Sequence, residues 1–349
     1  MVRPRRIFTA LVLLSAIVIL GALASMRAPY GGFQGSVFVD VEKGAHSGAI
    51  ASQLANAGVV HHAWQFLLIR AVHPGARLQA GEYQFTQPAT PWTVFNRIAR
   101  GDVFFYSLTV PEGSNQFDIA AMVESLGVMK GSDFLREARK PALIRDLAPD
   151  APTLEGYLFP STYRLTRNTT PEQLCRLMTG QFRRQWATLA GSAPVDAHAV
   201  TTLASLVEKE TAVAQERPTV ASVYRNRLEK GMALDCDPTT IYAALLDGRY
   251  RGAIFRSDLQ NNNAYNTYRH AGLPPGPIAN PGVASLKAAL DPARTGYLFF
   301  VAKPGNSGEH RFSSTLAQHD LAVREYRRGI QKTHTSVSGT SPANKHRRS

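Results

Sequence analysis

Apolar and polar positions change period several times along this 349-residue chain, and the first change is at its start. Behind Arg3, Arg5 and Arg6, residues 7–26 form an uncharged run rich in Leu, Val, Ile and Ala. Its length matches the roughly 20 helical residues that cross a bilayer core, so a transmembrane helix is expected there. The basic segment 1–6 predicts a cytoplasmic N-terminus with the bulk of the chain on the other side. A cleaved signal peptide is the alternative reading. Against it, the run exceeds the usual apolar core of a signal, and Ala22-Leu23-Ala24 is the only tidy small-residue site near its end.

After a Gly-containing linker, residues 27–35, the period becomes two. Val37, Val39 and Val41 fall on one side of a strand over 36–41, which ends in the turn Glu42-Lys43-Gly44. Helical spacing follows over 49–57, with Ile50 and Leu54 inward, and again over 64–69. A strand is expected at 82–85 and a helix at 94–99, stopped by Gly101. These elements define a small module, residues 36–103.

A larger unit, residues 104–328, opens with a strand over 104–110 and a helix over 118–126. Further helices are expected from 134 to a break near Pro141, and over 174–189, 197–211 and 218–230. Beyond Gly231 the chain is turn-rich, and it closes with a helix at 283–290, a strand at 297–302 and a helix at 314–327. The tail 329–349 is rich in Ser, Thr, Lys and Arg and is expected to be disordered. The fold class is therefore α+β.

Charge narrows the partners. Lys plus Arg number 39 against 26 Asp plus Glu, a formal charge of +13 that suits any polyanion. A chain mostly outside the cytoplasm would not meet nucleic acid, and no zinc-finger or helix-turn-helix pattern is present. Cys175 and Cys236 fit either one disulfide or two buried thiols, and their separation matches no zinc spacing. Dinucleotide, nucleotide, zinc-protease and serine-hydrolase fingerprints are absent, so neither a metal nor a cofactor is expected.

The helix over 197–211 carries the most suggestive carboxylate. Leu203, Leu206 and Val207 share a face, and Glu210 lies three, four and seven positions beyond them, on the same face. Glu208 points elsewhere, beside Ala204 and Ser205. Loss of hydration at Glu210 would raise its pKa toward the range of a general acid. The competing reading is a carboxylate at a helix end that pairs with a basic side chain. Asp237-Pro238-Thr239 reads as a turn or helix cap, and Asp237 could be a second carboxylate. The stretch from Asn261 to Tyr268 concentrates amides and aromatic rings suited to sugars, or to capping neighbouring elements.

Five motifs then occur in order: Glu155-Gly156-Tyr157-Leu158-Phe159-Pro160-Ser161-Thr162-Tyr163, Glu208-Lys209-Glu210-Thr211, Asp237-Pro238-Thr239, Ala264-Tyr265-Asn266-Thr267-Tyr268 and Gly272-Leu273-Pro274-Pro275-Gly276-Pro277-Ile278. Together they resemble the MltG/YceG-like endolytic murein transglycosylases, from about residue 38 to about residue 326. Ser161 stands where that family usually has Asp, and Asp235-Cys236 where it usually has Gln followed by Ser or Thr. The resemblance implies a single-pass protein of the cell inner membrane with an extracytoplasmic LysM-like module and catalytic domain. It implies peptidoglycan glycan strands as substrate, peptidoglycan synthases as neighbours, and cleavage between N-acetylmuramic acid and N-acetylglucosamine that leaves 1,6-anhydro ends and terminates strands. Its catalytic glutamate falls on Glu210.

On that expectation Glu210 acts first as acid and then as base, while Glu155, Tyr157, Asp237, Thr239, Tyr265, Asn266 and Tyr268 bind substrate. Two alternatives stay open. A water-using muramidase would need a second carboxylate, with Glu155 or Asp237 as nominees, and a non-enzymatic glycan-binding scaffold would use Glu210 structurally.

Overall fold

The N-terminal apolar run folds as one helix, α1 (Pro4–Arg27), in a computed structural model that describes residues 4–191, 194–305 and 307–338. Its large apolar side chains, among them Leu13, Ile17 and Leu20, are exposed. Among the described residues, however, no helix is long and apolar enough to cross a membrane.

The chain divides into two compact units, Met1–Tyr106 and Ser107–Ser349. In the first, β1 (Val37–Val41) is followed by α2 (Ser47–Asn56), α3 (Ala63–Val72), β2 (Gly81–Phe85) and α4 (Pro91–Arg100). The two strands pair antiparallel, from Val37 opposite Phe85 to Val41 opposite Gly81. Alternation turns Val39 and Val41 inward beside Tyr83 and Phe85, where they meet Ile50 and Leu54 from α2, Phe66 and Ile69 from α3, and Val94, Phe95 and Ile98 from α4. Helix α4 starts on a Thr90 cap with Pro91 in its first turn. It ends where Gly101 takes φ +72°, a backbone state that glycine enters without steric cost. The Gln65 amide on α3 donates to the carbonyl of Ser25, tying down the end of α1.

In the second unit, β3 (Tyr106–Thr109) leads to α5 (Gln116–Ser125) and α6 (Gly131–Ala138). Strand β4 (Thr162–Leu165), which pairs with β3, is followed by α7 (Pro171–Ala190), α8 (Ala197–Glu210), α9 (Arg217–Glu229), α10 (Asp237–Leu246) and the short α11 (Arg256–Leu259). The unit closes with α12 (Val283–Leu290), the antiparallel pair β5 (Phe299–Ala302) and β6 (His310–Ser313), and α13 (Leu316–Ser338). Helix α8 is the axis of this unit, packed by α9, α10 and α12. Every residue from Thr201 to Val207 is buried, so its apolar stripe has become a continuous buried surface. Its N-terminus is capped by Asp196, whose carboxylate accepts from the amides of His198 and Ala199.

Several boundaries depart from the sequence expectation. Of the turn and helix-cap alternatives for Asp237-Pro238-Thr239, the structure shows a helix start: the segment is the first turn of α10, where the missing proline N–H costs no helical hydrogen bond. Strands β4 and β6, four residues each, lie where the sequence pattern predicts no strand. Helix α13 continues through Gly329 to Ser338, beyond the expected start of a disordered tail, and no proline interrupts it. Residues 1–3 and 339–349 lie outside the described residues. Cys175 and Cys236 are both buried free thiols, which settles the disulfide alternative.

Candidate active site

The C-terminal end of α8 delivers Glu210 to a cleft of about 390 Å³. Tyr224 on α9 donates its hydroxyl to Glu210 Oε1 at 2.8 Å, and the thiol of Cys236, just before α10, donates to the same oxygen at 3.1 Å. Tyr224, Arg227, Asp235, Asp237 and Tyr268 line one part of the cleft, and Phe299, Phe300 and His319 another. Burial pushes the Glu210 carboxyl above its ordinary range, against the two hydrogen bonds, which favour the carboxylate. Nearby Asp237 reinforces the rise and His310 opposes it. Glu210 thus receives neutral donors instead of a guanidinium or ammonium partner, the arrangement that retains a proton on a carboxyl.

Glu208 shows the opposite arrangement. Its side chain is only 5% exposed, so burial alone does not separate the two glutamates as the helix-face reading expected. Compensation does. Arg217 donates to Glu208 Oε1 at 3.1 Å, the Gly282 amide donates to Oε2 at 3.0 Å, and Arg217 is itself buried. This buried ion pair joins α8 to the start of α9 and the loop before α12. Between the two glutamates, the Lys209 ammonium donates to the Gly113 carbonyl.

The remaining expected site residues fall into two groups. Asp237 and Tyr268 line the cleft, joined by a 2.7 Å hydrogen bond from the phenol to the carboxylate. The others lie outside the cleft lining. Thr239 is buried, bonded to the Cys236 carbonyl and the Thr267 hydroxyl, and so fixes the turn that presents Cys236. Asn266 is fully buried, and its amide donates to the carbonyls of Asp258, Leu259 and Asn261. Its side-chain nitrogen is therefore committed to the loop. Tyr265 packs its ring against Tyr242, with centroids 5.1 Å apart. Tyr157 is buried, and its hydroxyl pairs with His198, whose other ring nitrogen lies 3.0 Å from the Pro275 carbonyl.

Glu155 lies in a separate buried network. It accepts from the Gln116 amide at 2.9 Å, the Tyr242 hydroxyl at 3.0 Å and the Asn280 side chain at 2.9 Å. Burial outweighs these donors and pushes its carboxyl up to about 8. The adjacent Gly156 sits at φ +87°, and a β-carbon there would run into Pro277 and crowd Thr201 on α8. The first and last motifs thus meet as a packed joint behind the helix that bears Glu210.

Tyr224, Cys236, Arg227, Phe299, Phe300 and His319 are cleft residues that sequence reasoning missed as site residues. Tyr224 reaches Glu210 only because α8 and α9 pack together, a relationship with no local spacing signature. Cys236 stands out in the sequence as one of two cysteines and as a departure from a motif, and no local pattern marks His319 as a cleft residue. Among the described residues no cluster of His, Cys, Asp or Glu is arranged to hold a metal ion.

Residues 39–325 match the YceG-like family along their whole length. The chain belongs to the YceG-like family. Among YceG-like relatives, a Bacillus subtilis protein named endolytic murein transglycosylase is 32% identical over 310 residues, covering 83% of this chain and 85% of its own. A Streptococcus pneumoniae protein of the same name is 27% identical over 321 residues; the match covers 83% of this chain and 58% of that longer protein. The crystal structure of a yceG-like protein from Listeria monocytogenes aligns with a TM-score of 0.57 at 28% identity, covering 82% of this chain and 98% of that one.

Proposed function

We propose that this protein is an endolytic murein transglycosylase that uses Glu210 as its single acid and base. The observation that carries the reading is the Glu210 carboxyl itself, held by two neutral donors on Oε1 at the edge of a cleft and pushed toward its protonated form. The names of its relatives support the substrate class and the lytic outcome.

Because Tyr224 and Cys236 both bond Oε1, Oε2 is the oxygen left to face the substrate. In the first step Oε2–H protonates the glycosidic oxygen between N-acetylmuramic acid and N-acetylglucosamine. The bond from that oxygen to C1 of the muramic ring breaks, and the N-acetylglucosamine side leaves as an alcohol. In the second step the Glu210 carboxylate takes the proton of the muramic C6 hydroxyl, whose oxygen bonds to C1 and closes the 1,6-anhydro ring. Glu210 ends protonated, as it began, and no water is consumed. Tyr224 and Cys236 keep donating to Oε1 while it is charged, which stabilises the intermediate stage.

Asp237 supports a second reading, since it is a carboxylate lining the same cleft. A hydrolase would use it across the scissile bond from Glu210. Its bond from Tyr268 favours instead a role in shaping the cleft wall. Glu155, in its separate buried network, suits holding the joint behind α8.

The same proposal extends to the rest of the chain. The exposed apolar side chains of α1 support attachment to the inner membrane, with both units on the extracytoplasmic side. The strand, helix, helix, strand order of β1, α2, α3 and β2 supports a LysM-like, glycan-directed module. Nascent strands are made by peptidoglycan synthases, which would be its neighbours.

Digestion of purified glycan strands in water enriched in oxygen-18 separates the two chemistries. Lytic cleavage gives anhydro ends that carry no label, whereas new labelled reducing ends formed faster than in an enzyme-free control would establish hydrolysis and redirect attention to Asp237.

A further inference from the structure

Buried thiols are ordinarily inert packing groups, but Cys236 is placed differently. Its sulfur lies 3.1 Å from Glu210 Oε1, and the Tyr224 hydroxyl lies 2.8 Å from the same atom. The thiol is itself held in place: the Cys236 amide donates to Thr267 Oγ1 at 3.0 Å, and its carbonyl accepts from Thr239 Oγ1 at 2.6 Å. Thr239 and Thr267 are in turn bonded to each other, so the turn before α10 aims the sulfur at the carboxyl through buried hydrogen bonds. Burial also pushes the thiol well above its ordinary range, so it stays an S–H donor instead of a second anion beside Glu210.

We propose that Cys236 is a positioning residue: its thiol and the Tyr224 hydroxyl together pin Oε1 of Glu210, fixing the carboxyl's orientation and reserving Oε2 for the proton that is transferred. The inference rests on the reading of Glu210 as the acid and adds a device that the reading does not require. Other charged or titratable groups surround the carboxyl: Asp235 and Asp237 beside Cys236, Arg227 on α9, Tyr268, His310 on β6 and His319 on α13. Arg227 is occupied by the carbonyls of Leu298, Ala233 and Leu234 and by Asp235, and His310 by Glu216. Among the described hydrogen bonds, the thiol and the phenol are the side-chain donors on Glu210 itself.

A donor to a carboxylate favours the charged form, so removing it raises the proton affinity of the carboxyl. The test uses full-length wild type, Cys236→Ala, Cys236→Ser and Glu210→Gln in detergent, with two readouts. The first is a carbon-13 NMR titration of the Glu210 carboxyl, assigned by its loss in Glu210→Gln. The second is the pH profile of anhydro-end formation on purified glycan strands. Cys236→Ala is expected to raise the titration midpoint and the alkaline limb by at least about half a pH unit, roughly a threefold change in rate on that limb. Cys236→Ser restores a donor and is expected to return both to the wild-type value or below.

An unmoved midpoint in Cys236→Ala, or equal displacement by Ala and Ser, would overturn the proposal. If the midpoints move as expected but wild type forms no anhydro ends, the positioning role stands and the transglycosylase reading fails.

Discussion

The Tyr224 hydroxyl donates to Glu210 Oε1 across the α8–α9 contact, so one helix supplies the carboxyl and its neighbour determines how that carboxyl is held. Tyr224→Phe removes this bond and keeps the ring that packs edge-on to Phe300. Loss of one hydrogen bond to a charged group is expected to lower kcat about tenfold, with a stability change of about 1 kcal/mol. Steady-state kinetics beside a urea melt separates the two effects; a large loss of stability with unchanged kcat would assign Tyr224 to packing.

The pH dependence follows from the same carboxyl. Glu210 must start protonated, and burial raises its pKa, so activity should persist above the ordinary carboxylate range and fall as pH rises through the folded-state value. Initial rates of anhydro-end release against pH check this. Activity that instead rises through that limb would identify Glu210 as a base from the outset.

Glu208 makes the contrasting case. Glu208→Gln leaves the Arg217 guanidinium without its closest carboxylate, which lies at 3.1 Å, while Glu112 remains at 4.0 Å. Breaking a buried pair from one side is expected to cost about 3 kcal/mol of stability. Turnover per folded molecule should be mostly retained, as measured by active-site-normalised rates at low temperature.

Glu155 makes a linkage prediction. Its folded pKa of about 8 lies above the ordinary value of 4.5, so its stabilising contribution is complete below about pH 4.5 and is lost as pH rises toward 8. Glu155→Gln mimics the neutral form and should gain on wild type in melting temperature across that interval. Parallel curves for the two proteins between about pH 5 and pH 8 would mean that Glu155 is charged throughout.

Much of this organisation was legible in the sequence because it rests on local patterns. The Val37, Val39 and Val41 alternation, Gly101 as a helix stop and the spacing from Leu203 to Glu210 all correspond to observed elements. What could not be read depends on tertiary pairing. The distinction between Glu208 and Glu210 comes from Arg217 and from Tyr224 with Cys236, which the fold, not the spacing, brings to each side chain. Asn266 and Thr239 drew attention as polar motif residues, yet their hydrogen bonds hold loops in shape. Asp237-Pro238-Thr239 read as either a turn or a helix cap, and the observed α10 makes it a helix start.

The most direct measurement is mass spectrometry of the products released from purified peptidoglycan by wild type and by Glu210→Gln, with folding of both verified. Anhydro-muramic ends from wild type, and none from a folded Glu210→Gln, are the expected result. Equal amounts of anhydro ends from both proteins would contradict the assignment of Glu210 as the acid and base.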